Sequence, residues 1–208
     1  MNDATASLVV AGLERAWAAI RAAHPEVPAA VLVVASGASG RQLRWGHFAA
    51  GRWHVSRDQA HPEVLVGGEG LARGPVEVLG TLLHEAAHGL AHARRIRDVS
   101  RGGRYHNRRY ATLARELGLE AARVDPIGWS ATTVPPATAA GYTTVLADLE
   151  RCLRLWRRHE QPNPRAASRN LLACVCACPR RIRVAPATLA GPAIVCTGCA
   201  QPFQPADA

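Results

Sequence analysis

The chain has 208 residues, nearly half of them hydrophobic, with 25 basic residues against 16 acidic and a formal net charge of +9. That is enough for one well-cored domain and a small appendage, and no apolar run is long enough to span a bilayer as a helix, so no membrane partner is expected. Every basic residue is arginine; its planar fork suits phosphate oxygens, which points to a polyanionic partner, although the same composition would also serve a solvated surface shaped by codon bias.

The N-terminal stretch MNDATASLVVAGLERAW has an acid at Asp3 and breaks its apolar run at Glu14 and Arg15. It therefore lacks a signal peptide's basic start and uninterrupted apolar centre. The expectation is a cytoplasmic protein, where six cysteines serve as thiolates or metal ligands rather than disulfides. Leu8, Val9, Leu13, Ala16, Trp17 and Ile20 recur at helical spacing and predict an amphipathic helix over 8–22, ending before His24-Pro25. VLVVAS at 31–36 predicts a strand, the glycines and aromatics of 44–56 a hairpin, and EVLVGG at 63–68 a further strand.

Pro75 suits a helix's first turn, and Val76, Leu79, Leu82, Leu83, Ala86, Ala87 and Leu90 carry an apolar stripe onward. After an arginine- and glycine-rich loop, Tyr110, Leu113, Ala114 and Leu117 define another helix, stopped by Gly118. TTVPPAT then leads to a last amphipathic helix at 143–159, built on Leu146, Leu149, Leu153 and Trp156. Cys152 on that helix reads as a buried, inert thiol. QPNPRAA, residues 161–167, has the composition of a linker, and the remaining cysteines lie beyond it. The domain reading is 1–159, a linker over 160–172, and a tail domain over 173–208.

The helix from Pro75 contains LGTLLHEAAHGLAHARR at 79–95. His84-Glu85-x-x-His88 is H-E-x-x-H, which on a helix sets two imidazoles one turn apart, about 6 Å of rise, facing one ion. Zinc takes neutral imidazole nitrogens and keeps an open position for water; Glu85 would take a proton from that water. His92 lies eight residues from His84, about 12 Å of rise, too far for one ion on an unbroken helix. The metzincin spacing is also absent, and with Met1 as the sole methionine there is no Met-turn. The remaining third ligands are His106, in GGRYHNRRY, and Glu116 or Glu120. Two glycines before His106 would let the chain fold back over the first helix.

Residues 78–119 resemble the core of the SprT-like (Spartan-type) zinc metallopeptidases, in which an H-E-x-x-H helix is followed, after a variable loop, by a glycine-histidine element carrying the third ligand, and then by a helix. The resemblance extends in arrangement over about 8–159 and is specific over about 64–119. It implies an α+β, zincin-like core, zinc on His84, His88 and His106, and Glu85 as catalytic base. It also implies hydrolysis of peptide bonds by zinc-activated water, on protein substrates that include proteins held on or crosslinked to DNA. Tyr105 stands where the family usually has glycine.

Many bacterial members of that family end in a zinc ribbon, and the tail has the matching cysteines. Cys176 and Cys178, in CACP before an IRV strand, and Cys196-x-x-Cys199 after an AIV strand would enclose a structural zinc, with Cys174 able to replace either of the first pair. From His88 through Arg109 the chain has seven arginines and one acid, Asp98. Arg101, Arg104, Arg108 and Arg109 are the candidates for gripping a DNA backbone without sequence specificity, with Trp45, Trp53 and Tyr105 available to stack on bases. Two rival functions use the same residues: a non-enzymatic nucleic-acid-binding module with two structural zincs, and a regulatory metallopeptidase whose third ligand is Glu116.

Overall fold

The computed structural model describes residues 6–39, 42–54, 56–57, 59–159 and 171–206. The chain divides into two compact units, residues 1–160 and 161–208. The expected linker at 160–172 lies outside the described residues except for Leu171 and Leu172, and Leu172 already begins a strand. Among the described residues no helix is long and apolar enough to cross a membrane.

Unit 1 is a mixed α/β unit with small sheets. Helix α1 (Ala6–Ala23) leads to β1 (Val31–Ala35), a two-residue pair β2 (Ala38–Ser39) and β3 (Gln42–Leu43), the long β4 (Gly46–His54) and β5 (Ala60–Gly67). β5 is the centre of a three-stranded sheet, parallel to β1 and antiparallel to β4, so β4 is an edge. The hairpin expected within 44–56 is instead this one strand. Gly51, with φ +63, absorbs a bulge between Ala49 and Trp53, and β4 pairs with β5 rather than with itself.

A 3₁₀ segment, Gly68–Arg73, turns the chain into α2 (Pro75–Ala93). Proline at the first turn forgoes an N–H that would have had no intrahelical partner. Leu79, Leu82, Leu83, Ala86, Ala87 and Leu90 are all buried, as are Leu13, Trp17 and Ile20 of α1 and Val64 and Val66 of β5. α2 is thus the middle of the core, covered on several sides. The helix runs unbroken through Gly89, where a Cβ would press on Pro28 and Phe48 at 3.1–3.4 Å; the glycine lets the helix approach the sheet and does not break it.

β6 (Val99–Ser100) and β7 (Tyr105–His106) form a short hairpin, followed by α3 (Arg108–Glu116), β8 (Glu120–Val124) and β9 (Gly128–Thr133). These strands make a second sheet in the order β6-β7-β9-β8. The β8–β9 hairpin was not anticipated, although Asp125-Pro126-Ile127-Gly128 is turn-forming sequence and Thr132-Thr133 is β-branched.

The last expected helix is shorter than 143–159. It is α5 (Thr143–Cys152), preceded by a separate short α4 (Pro136–Gly141), and residues 153–159 leave helical geometry. The cause is tertiary. The Arg157 N–H donates to Gly68 O at 3.0 Å and its Nε to Glu69 Oε1 at 3.1 Å, giving a buried carboxylate its cation. Trp156 consequently lies 59% exposed instead of on a helix's apolar face. Cys152 is buried, its Sγ beside Arg15 of α1.

Unit 2 holds β10 (Leu172–Val175), β11 (Arg181–Val184), a short α6 (Pro186–Leu189) and β12 (Gln204–Pro205), with sheet order β11-β10-β12. The expected IRV strand is β11. The expected AIV strand is reduced to one bridge, Val195 to Pro202, because β10 pairs instead with β11 and β12.

Candidate metal centres

Two elements deliver the three histidines. α2 carries His84 and His88 one turn apart, and β7 brings His106 to them, so that one ring nitrogen from each lies within 4.8 Å of the others. The Nε2 atoms of His88 and His106 are 3.1 Å apart. Tyr110, on the first turn of α3, is fully buried against all three rings, with centroid separations of 4.5–4.9 Å. Its hydroxyl reaches His84 O at 3.5 Å. Periodicity alone would place Tyr110 in the core; it is also the wall that keeps the three rings together.

His106 arrives where it does because of its neighbours in the second sheet. Its N–H donates to Ile127 O at 3.0 Å, and it faces Gly128 across a parallel pairing. Gly128 has φ +77, and a Cβ there would stand 2.2 Å from His106 O, so only glycine permits the approach. Immediately after the ligand, Asn107 caps α3 by accepting from the N–H groups of Arg109 and Tyr110. Its side-chain amide donates to Arg97 O at 2.9 Å, which ties down the base of the arginine hairpin.

Two further polar side chains hold the helix-borne rings. Thr132 Oγ1 of β9 is 3.0 Å from His84 Nδ1, and Asp98 Oδ2 is 2.5 Å from His88 Nδ1. His106 Nδ1 is buried with no hydrogen-bond partner. Burial, then the nearby rings of His88 and His106, pushes His84 well below the ordinary histidine range. Burial and His88 lower His106 to about 4. Burial acts the same way on His88, but the Asp98 hydrogen bond and the nearby carboxylates outweigh it and raise that ring. Two of the rings are therefore held neutral, as metal ligation requires.

Glu85 is buried beneath β4. A Cβ on Gly46 would come within 2.5 Å of its Oε1, so the glycine makes room for the carboxylate. Burial raises its carboxyl to about 7, against the opposing pull of His88 and of the Phe48 N–H that donates to it.

His92, Glu116 and Glu120 lie elsewhere. His92 remains a turn further along α2, its ring 6.0 Å from that of Phe48. Glu116 is engaged by Arg94, which pairs with it at 2.6 Å and with Glu26 at 2.5 Å. Glu120 is exposed in β8. Neither acid joins the histidine group.

The second group lies in unit 2. Sγ atoms of Cys176, Cys178, Cys196 and Cys199 lie within 4.8 Å of one another, and Cys174 is buried in β10 outside the group. Cys176 and Cys178 occupy the turn between β10 and β11, while Cys196 and Cys199 lie in the turn bridged by Val195 and Pro202. The Gly198 N–H lowers Cys196 to about 6, the Gln201 N–H lowers Cys199, and burial, followed by the hydrogen bond with Cys178, pushes Cys176 up to about 12. Backbone donors aimed at sulfur favour thiolates, the form that binds a cation. Both groups could hold a metal ion, and both suit zinc.

Arg101, Arg104, Arg108 and Arg109 are all exposed, on the β6–β7 hairpin and the first turn of α3. The Arg101 guanidinium covers Tyr105 at 4.8 Å, and that of Arg73 covers Trp45 at 4.3 Å; Trp53 donates to Glu63 at 2.9 Å. The three aromatics proposed for stacking thus already have partners.

Compared with known proteins, the chain matches no family model, no curated protein and no solved structure.

Proposed function

We propose that this chain is a zinc-dependent metalloendopeptidase of the SprT-like kind, with a zincin-like catalytic unit and a C-terminal zinc ribbon, acting in the cytosol. The observation that supports this most is the meeting of His84, His88 and His106 on one side of α2 while Glu85, one residue from the first ligand, is kept buried and, among the described residues, without an ion pair. Zinc, when bound, supplies a Lewis acid that polarises a carbonyl and activates water at neutral pH.

The rest is done by the chain's own groups. Glu85 accepts a proton at its carboxylate and returns it to the departing amine, and the Phe48 N–H fixes the carboxylate's direction. A carboxyl near 7 is suited to alternating between the two states, and a bound cation nearby shifts it downward toward the base form. Tyr110 excludes water from beneath the rings. The inferred substrates are proteins held on DNA. The support is the family resemblance and the exposed arginines, which lie on the hairpin that carries His106 and on the helix turn just after it.

The test is Glu85→Gln, which keeps size and hydrogen-bonding reach but removes the base. Zinc content and fold should survive, and cleavage of a protein substrate presented with DNA should fall about 10²–10⁴-fold. DNA should raise the wild-type rate, with a gain that fades as salt rises. Equal cleavage by both proteins would place the activity elsewhere. No cleavage by either, with DNA binding intact, would favour the non-enzymatic binding module.

A further inference from the structure

We propose that Asp98 is a positioning residue for the histidine centre: it holds His88 by its Nδ1–H, leaves Nε2 as the ligand atom, and couples that orientation to the arrival of His106. This rests on the metal centre proposed above. It adds a residue that the H-E-x-x-H pattern does not contain.

The first part of the argument is chemical. Which imidazole nitrogen binds a metal is set by the hydrogen bond the other one makes. An ionised carboxylate can only accept. With Asp98 Oδ2 at 2.5 Å from His88 Nδ1, the proton sits on Nδ1 and the lone pair on Nε2, the atom that faces His106 Nε2 at 3.1 Å. Thr132 exerts no such control over His84, because a hydroxyl can donate as well as accept. His106 Nδ1 has no hydrogen-bond partner. Among the described residues Asp98 is therefore the charged group that selects a tautomer among the three.

The second part is placement. Asp98 lies in the stretch richest in arginine, yet it is nearly buried, and among the described residues its ion pair is with His88. Its backbone is fixed independently of its side chain: the Asn107 N–H donates to Asp98 O at 2.9 Å, and Val99 pairs with His106. One hairpin base thus presents the third ligand and the carboxylate together, so an ion that gathers His106 meets His88 already turned toward it.

The test uses the full chain, loaded with zinc or with cobalt as a spectroscopic substitute. Asp98→Ala should bind zinc at the histidines about 10–100-fold more weakly in chelator competition, with the cysteine-bound ion unchanged. Asp98→Asn, whose amide oxygen can still accept from Nδ1 without charge, should recover part of that loss and restore the cobalt absorption bands toward wild type. In the zinc-loaded wild type, nitrogen NMR should find His88 protonated at Nδ1. That measurement decides the matter even if Asp98→Ala does not fold. Wild-type affinity in Asp98→Ala, or a proton on His88 Nε2, would overturn the proposal. Zinc uptake that depends on Asp98 without any peptidase activity would uphold it and overturn only the enzymatic reading; no ion at the histidines would overturn both.

Discussion

The two candidate metal centres are built on opposite principles. The histidines hang on a frame that stands without them. α2 is packed through Leu79, Leu82, Leu83 and Leu90, and α1, α3, α5 and β5 contribute Leu13, Ile20, Leu113, Leu149 and Val64 to the same core. In unit 2 the buried apolar residues, among those described, are Cys174, Val184 and Cys196. There the cysteines are as much the core as the ligands of it. A metal in unit 1 would be held for chemistry, on a surface prepared by hydrophobic burial. A metal in unit 2 would be held for folding, since a segment so short lacks the apolar area to order itself.

The comparison breaks most visibly at the cysteines. Cys196→Ser combined with Cys199→Ser should remove one zinc per chain and the amide protection of unit 2, an effect on the order of 10 kcal/mol of lost metal-linked folding, while unit 1 keeps its thermal transition. Unit 2 staying protected from hydrogen exchange in that variant would mean that the sheet, not the ion, orders it.

In unit 1 the fold should outlast its metal. His106→Ala should lose zinc affinity at the histidines by more than the roughly 10–100-fold that an outer partner is worth, without unfolding the unit. His92→Ala and Glu116→Ala should change that affinity little, since Glu116 is committed to Arg94. If titration finds Glu116→Ala the most damaging of the three, both the ligand set and the SprT-like reading are lost.

Gly128→Ala sharpens the contrast at the smallest scale. A residue at φ +77 with its Cβ 2.2 Å from His106 O must displace the β7 strand or accept strain. The expected cost is about 1–3 kcal/mol of unit 1 stability, seen as a lower denaturant midpoint, with weaker zinc binding at the histidines and unchanged binding at the cysteines. An unchanged midpoint and affinity would show that β7 does not depend on this close approach.

Much of this was legible in the residues taken in order. Helical rise alone sets His84 and His88 close enough for one ion and His92 too far along the axis to join them, because one turn and two turns along a helix are fixed distances. The apolar stripe that buries α2 is likewise a periodicity, as is the pairing of cysteines around turns. Local geometry could not settle which residue joins His84 and His88 in one group: His106, Glu116 and Glu120 were all within reach of a loop. The deciding contacts are long-range, namely the pairing of β7 with β9 across Gly128, and the capture of Glu116 by Arg94. The same holds for the end of α5, where the apolar spacing of Leu149, Leu153 and Trp156 favours more helix, but a buried Glu69 draws Arg157 away. Asp98 shows the limit most clearly. In sequence it is one acid among arginines, and only the closure of a hairpin onto α2 turns its carboxylate to a histidine ten residues earlier; that direction depends on how the second sheet meets α2, which no spacing encodes.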